Sequence, residues 1–233
     1  LITGASSGLG RAIAIELGKE GAKVAVLARR QEQLAETAGL VDQAGGTGLA
    51  IPTDVTDPEQ VSAAVERAAG ELDGLDILVN NAGLGIFKRV EEMSIEEWDR
   101  QINVMIRGAF LISHYALPHL YRREAGHVIN VSSLWAIRFC PTCAAYTAAK
   151  FGVRGFTQSL REEAREHNVR VTNIMPGTVA TEFFDKSNWS TDTSAALRDE
   201  DIAATALFAL KLPDHAVMEE VTLQAIHPPG GSA

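Results

Sequence analysis

The sequence has only two cysteines, Cys140 and Cys143, in 233 residues. That is too few for a disulfide framework, so a reducing compartment and a cytoplasmic location are expected. Long apolar runs are also missing. A bilayer-spanning helix needs about 20 apolar residues, and the longest runs here are strand-length, broken by glycine or polar residues. Basic residues are in the minority, with 21 Lys and Arg against 30 Asp and Glu and a net charge of -9. That balance repels nucleic acid and anionic membranes in the mean field, yet leaves room for a local positive pocket. The six histidines are scattered. His114 and His119 lie five apart, which misses the spacing that puts two ligands on one helix face, and no metal site is expected. Linkers, internal repeats and low-complexity tracts are absent as well. The chain opens at Leu1 directly in an apolar run, so preceding residues are expected to complete the first strand.

What is present is an alternation of strand-like and helix-like runs. Residues 7–20 place Leu9, Ile13, Ala14 and Leu17 on one helical stripe and stop at Gly21. Strands are expected at 23–28 and 47–52, with a helix at 31–44 between them. Asp57 caps a helix that has Pro58 at its first position and runs to about residue 72. A strand follows at 76–80. Ser94-x-x-Glu97 is a capping-box pattern. It opens a long helical region with Trp98, Ile102, Met105, Ala109, Ile112 and Ala116 spaced for burial and Pro118 disturbing its end. Strands at 128–131, 169–175 and 221–226 and helices at 144–166 and 199–210 complete the pattern. Short apolar strands separated by helices mark a parallel sheet covered on both faces. Right-handed crossovers would make it a single-domain, doubly wound Rossmann α/β fold over residues 1–233. The least regular stretch, 178–198, is rich in Ser, Thr, Asp and Asn yet holds Phe183, Phe184 and Trp189. It is read as a substrate-covering flap.

The turn Thr3-Gly4-Ala5-Ser6-Ser7-Gly8-Leu9-Gly10 sits between the first strand and the first helix. Gly4 permits a tight turn, Gly8 lets the backbone approach a pyrophosphate, and Gly10 lets helix and strand pack closely. With Ser6, Ser7 and Leu9 these residues form a candidate dinucleotide cradle at a helix start, where unpaired N–H groups attract phosphate. An NAD site wants a carboxylate at the end of the second strand. This chain has Ala28-Arg29-Arg30 there. A guanidinium fork on Arg29, beside Arg30, suits a 2′-phosphate and points to NADP(H). A 100-fold preference needs only about 2.7 kcal/mol. Both arginines could instead cap the sheet edge and face water. Asp54 and Val55, after the third strand, are placed to meet an adenine ring, although Asp54 could equally be a turn residue.

Four motifs, in order, resemble the short-chain dehydrogenase/reductase family over nearly the whole chain. They are Thr3-Gly-x-x-x-Gly8-x-Gly10, Asn80-Asn81-Ala82-Gly83, Ser133 with Tyr146-x-x-x-Lys150 thirteen residues later, and Pro176-Gly177-x-Val179-x-Thr181. The resemblance implies an NADP-dependent enzyme that interconverts a carbonyl and an alcohol on a small organic substrate. It assigns Asn103, Ser133, Tyr146 and Lys150 to catalysis, Ser132 being the neighbouring alternative for the serine. It places Asn81, Ala82, Gly83, Tyr146, Lys150, Pro176, Gly177, Val179 and Thr181 against the cofactor. It further implies a homotetramer or homodimer formed through the long middle helices. Where relatives often have a glycine shortly after the serine, this chain has Leu134-Trp135-Ala136, which should narrow the substrate side.

The chemistry fits these residue types. Reduction of a carbonyl needs a hydride on carbon, which the cofactor supplies, and a proton on oxygen. Tyr146 can give the proton if its pKa falls from near 10. Lys150, one helical turn on, is expected to lower it. Ser133 can donate to the carbonyl oxygen as charge develops there. The resemblance implies that Asn103 holds a water linking Lys150 to solvent; it could instead satisfy backbone groups at a helix kink. Residues 85–87, 135–143 and 179–189 are candidate substrate walls, with Trp135, Arg138 and Phe184 as contacts and Arg138 able to anchor a carboxylate. Cys140-Pro141-Thr142-Cys143 has the spacing of a redox motif, but its place argues against thiol–disulfide function; two buried thiols are expected, with an oxidisable pair beside the pocket as the alternative. A non-catalytic NADP(H)-binding sensor or scaffold is the competing reading, and the complete Ser-Tyr-Lys set argues against it.

Overall fold

A computed structural model describes residues 1–183, 187 and 192–228. Its strands are β1 (Ile2–Thr3), β2 (Lys23–Ala28), β3 (Thr47–Pro52), β4 (Ile77–Asn80), β5 (His127–Val131), β6 (Arg170–Pro176) and β7 (Glu220–Leu223). They form one parallel sheet in the order β3-β2-β1-β4-β5-β6-β7. The chain winds outward from β1 to β3, returns to β4 beside β1, and winds outward again to β7. The reversal between β1 and β4 opens a crevice at the carboxyl ends of the strands, where such sheets bind ligands.

The helices are α1 (Gly8–Lys19), α2 (Gln31–Gln43), α3 (Pro58–Glu71), α4 (Ile95–Ile102), α5 (Gly108–Leu120), α6 (Ala144–Arg165) and α7 (Asp199–Leu210). Alternate strand residues feed two cores. Leu78 and Val128 point into a core with Val61 and Val65 of α3, Ile112 and Leu120 of α5 and Leu160 of α6. Val79 and Ile129 point the other way, against Ile13 of α1, Leu34 and Val41 of α2 and Ile202 of α7. The sheet is therefore buried on both faces, which is why its strands read as nearly continuous apolar runs. No helix among the described residues is long and apolar enough to cross a membrane.

The helix starts follow their sequence signals. Asp57 Oδ1 accepts from the backbone N–H groups of Glu59 (2.9 Å) and Gln60 (3.2 Å). At α4 the capping box closes in both directions, Glu97 N donating to Ser94 Oγ (3.2 Å) and Ser94 N to Glu97 Oε2 (3.0 Å). Each such cap is worth about 1 kcal/mol.

Four expectations need correction. The long middle helix is not regular, because α4 passes into a five-residue π-turn at Asn103–Arg107 before α5 begins. Trp98, spaced for burial, is 40% exposed. The last strand ends at Leu223 and does not reach residue 226. Cys140 and Cys143 are not two thiols but a disulfide.

Candidate active site

Three neighbouring segments fix the phosphate end of the crevice. Gly4 and Gly8 adopt positive φ (66° and 54°), and a Cβ on Gly4 would lie 2.8 Å from Ala82 Cα. Thr3 Oγ1 accepts from the N–H groups of Asn81 (3.0 Å) and Ala82 (3.1 Å). Asn81 Nδ2 returns donors to the carbonyls of Thr3 (3.0 Å) and Gly4 (3.2 Å). A Cβ on Gly10 would lie 2.6 Å from that same Nδ2. The turn after β1 and the segment after β4 are thus clamped face to face, a contact only glycine at these positions allows. The first turn of α1 has no acidic side chain, so its positive end stays available for phosphate.

The two arginines after β2 part company. Arg30 Nη2 donates to Ser6 Oγ (2.9 Å) and Ser7 Oγ (3.0 Å), which draws its charge onto the glycine turn. Arg29 is exposed, lines the same cleft, and its guanidinium holds no partner among the described residues. Asp54 behaves as a turn residue, its Oδ1 accepting from Thr56 N (2.9 Å) and Thr56 Oγ1 (2.8 Å). Val55 is buried beside it and touches the start of α5, where a Cβ on Gly108 would lie 3.0 Å from Val55 Cγ2. One cleft of about 1390 Å³ runs from Gly4, Ser6–Leu9, Arg29 and Arg30, past Asp54, Val55 and Asn81–Gly83, to Ser133, Tyr146 and Lys150, with Pro176, Gly177, Val179 and Thr181 along its other side. A glycine cradle at one end, two arginines beside it and a long trough suit a phosphorylated dinucleotide.

At the far end Ser133 follows β5 and hydrogen-bonds the Tyr146 hydroxyl, while its Oγ accepts from Trp135 N (3.2 Å). Tyr146 stands on the first turn of α6. Its ring is packed by Phe87 (centroids 5.4 Å apart), Trp135 (5.6 Å) and Phe183 (5.9 Å). This apolar wrapping pushes the phenol up to about 12, and the hydrogen bond from Ser133 offsets only part of that. Lys150 lies one turn further on, its Nζ donating to the Val131 carbonyl (3.0 Å) and standing 5.7 Å from the Tyr146 ring centre. Burial lowers Lys150 to about 8. The expected acidification of Tyr146 by Lys150 is therefore not a property of the protein alone, where desolvation outweighs the neighbouring cation.

Ser133, Tyr146 and Lys150 come together, and Asn103 does not join them. Asn103 is exposed and lines neither this cleft nor the small cavity behind it. Its carbonyl accepts from Gly108 N, the hydrogen bond that defines the π-turn. The residue facing Lys150 is Met105, whose Cγ lies, like Lys150 Nζ, 3.8 Å from the point a Cβ on Gly83 would occupy. The burial stripe already contained the signal. Residues 103 and 105 are about 200° apart on a helix, so a stripe that buries Met105 turns Asn103 outward.

Trp135 and Arg138 line the cleft as expected, Arg138 exposed at its mouth. Arg100 on α4 also lines it, a cation the sequence offered no reason to select. Phe183 belongs to the aromatic cluster, whereas Phe184 and Trp189 lie outside the described residues.

A family model described as short chain dehydrogenase matches residues 1–191. An oxidoreductase of Staphylococcus aureus strain USA300, itself called uncharacterized, is 35% identical over 226 residues, covering 97% of this chain and 96% of its own. Among solved structures, an alcohol dehydrogenase from the archaeon Thermococcus sibiricus, complexed with 5-hydroxy-NADP, superimposes with a TM-score of 0.89 at 30% identity, over 97% of this chain and 95% of that one. A 3-ketoacyl-(acyl-carrier-protein) reductase from Brucella melitensis, complexed with NADH, gives 0.87 at 31% identity over 95% of each chain.

Proposed function

Because the chain belongs to the short-chain dehydrogenase/reductase family of NAD(P)H-dependent oxidoreductases, we propose that it uses NADP(H) to interconvert a carbonyl and a secondary alcohol on a small, largely apolar substrate. The observation that carries this reading is the meeting of Ser133, Tyr146 and Lys150 at one end of a trough whose other end is the glycine turn with Arg30.

A nicotinamide held in this trough would supply or accept the hydride. The protein holds the carbonyl oxygen and handles its proton. Ser133 donates to the oxygen and Tyr146 gives it a proton, or takes one in the reverse direction. Lys150, held by the Val131 carbonyl, supplies positive charge behind the phenol. With a phenol at about 12 before any ligand arrives, Tyr146 starts as a proton donor, which suits reduction. The rings of Phe87, Trp135 and Phe183 exclude water and favour a flat apolar substituent beside the carbonyl. Arg138 offers an anchor for an anionic tail. The preference for NADP(H) over NAD(H) rests on Arg30, seated on Ser6 and Ser7, with Arg29 free beside it. Exposed Trp98, Phe110 and Phe151 on α4, α5 and α6 support assembly as a dimer or tetramer.

The test is a panel of aliphatic and aromatic ketones, read as loss of NADPH absorbance, with Tyr146→Phe as the control. Removing the acid should lower kcat by about 10²- to 10⁴-fold with NADPH affinity nearly unchanged. A variant that turns over at the wild-type rate would end the acid/base assignment.

A further inference from the structure

The Cys140–Cys143 disulfide lies between the two parts of the site that face the substrate. Cys140 lines the cleft and packs against the aromatic cluster. Cys143 is fully buried within that cluster, beside Phe87, Met105 and Tyr146, and it is the N-cap of α6. Thr147 N donates to the Cys143 carbonyl (2.7 Å), so Cys143 is tied into the same first helical turn that carries Tyr146. On its other side the chain is weakly held. Arg138 and Phe139 are exposed, Phe139 by 86%, and the backbone hydrogen bonds from Arg138 and Cys143 reach only Leu134 and Cys140. Thr142, between the cysteines, sits at φ 66°, a conformation a β-branched residue holds only where its surroundings impose it.

We propose that this disulfide is a reducible clip, opened by a dithiol, which fixes the substrate-side wall of the cleft to the helical turn bearing Tyr146. A thiolate of the dithiol attacks Cys140 Sγ, the sulfur that lines the cleft. The S–S bond breaks, and Cys143 Sγ leaves with the electron pair at the N-terminus of α6, where unpaired N–H groups favour a thiolate. The second thiol of the reagent then attacks the mixed disulfide, closes its own ring and releases Cys140. Two electrons pass from the dithiol to the protein, and both cysteines take up protons. Beyond Trp135, which stays packed on Tyr146 and Phe87, the wall then keeps only its local hydrogen bonds. Cofactor contacts at the glycine turn and Arg30 lie at the other end of the trough and are not affected.

The effect on substrate binding rests on the proposed reductase activity, so the test includes readouts that do not. Wild-type protein and Cys140→Ser/Cys143→Ser are treated with reduced or oxidised dithiothreitol and freed of reagent. Free thiols, the rate of tryptic cleavage after Arg138, NADPH affinity and KM for an accepted ketone are then measured. The chain has no other cysteine, so every redox response belongs to this pair. Reduction should raise the thiol count from none to two. It should speed cleavage after Arg138 and raise KM, each by roughly fivefold, a loosening of about 1 kcal/mol, while NADPH affinity stays within about twofold. The double variant should behave as the reduced protein under both treatments. Should it not fold, Cys140→Ser alone removes the cleft-side sulfur and leaves the buried one. Two free thiols after oxidation would overturn the clip, as would cleavage and KM that ignore reduction. If no ketone is turned over in either state, the activity reading fails while the thiol count and the cleavage rate still decide on the clip.

Discussion

Lys150 should make the protein more stable as pH rises through the alkaline range. Its folded-state pKa is lowered from 10.5 to about 8 by burial. Below pH 8 both the folded and the unfolded chain carry the proton, and the folded state bears the full cost of a buried cation. Between about 8 and 10.5 the unfolded chain keeps the proton while the folded one has lost it. The unfolded state then binds more protons, so stability increases with pH. The whole shift corresponds to about 3 kcal/mol, of which about 2.5 kcal/mol is recovered between pH 7 and pH 10. Other groups titrate in this range, so the measurement is a difference. Urea unfolding of wild type and Lys150→Met, both free of cofactor, is followed at several pH values. Loss of the hydrogen bond from Lys150 Nζ to the Val131 carbonyl displaces the variant by a constant. The pH-dependent part of the gap is the Lys150 contribution, and wild type should gain about 2.5 kcal/mol relative to the variant from pH 7 to 10. Parallel curves would show that the amine is not desolvated as its position implies, and the electrostatic account of the site would fall with it.

Two further substitutions probe the two ends of the trough. Arg30→Ala should weaken NADPH binding by about 10- to 100-fold and NADH binding by less than about threefold, since only the phosphorylated ribose needs the guanidinium. Arg29→Ala should have the smaller effect of the two, and equal losses for both cofactors in a fluorescence titration would remove the phosphate contact. Gly85→Ala would put a Cβ 2.7 Å from Phe183 Cζ and from Phe87 Cε2 and Cζ, rings that pack on Tyr146. It should cost about 1–3 kcal/mol of stability and lower kcat/KM for ketones, while a variant with unchanged urea midpoint and kinetics would mean the rings move aside freely.

Most of the fold was legible because its signals are local. Pro58 after Asp57, the Ser94–Glu97 box and the glycines that end helices act within one turn, and the strands betray double-sided burial by lacking alternation. What failed depends on geometry that sequence spacing does not carry. A π-turn adds a residue to one helical turn, so the region expected as one long helix is interrupted at Asn103–Arg107, and Trp98 before it is exposed while Met105, Ala109, Ile112 and Ala116 are buried as expected. The arginine pair marked a positive end of β2, while the seating of Arg30 on Ser6 and Ser7 depends on where β2 ends relative to the glycine turn and was not foreseen. The disulfide overturns the expectation of two buried thiols, because position in the chain does not show the turn at Thr142 that brings the two Cα atoms within 5.6 Å.

The acidity of Tyr146 shows most directly why a motif is not yet a mechanism. A lysine four residues on implies a lowered phenol when charge alone is counted, because a cation at that range favours a phenolate. The structure adds the apolar rings of Phe87, Trp135 and Phe183, which penalise the phenolate, and a burial of Lys150 that penalises the very cation meant to help. Both groups are pushed toward their neutral forms, the phenol up to about 12 and the amine down to about 8, so at neutral pH a neutral phenol stands beside an amine that is still mostly protonated. In the proposed reaction such a pair would donate the proton as negative charge arrives on the carbonyl oxygen, and that charge would then rest on the phenolate, facing Lys150 in a dry site. The motif supplied the two partners, and the aromatic wall that no spacing rule encodes sets how far burial pushes each from its ordinary pKa.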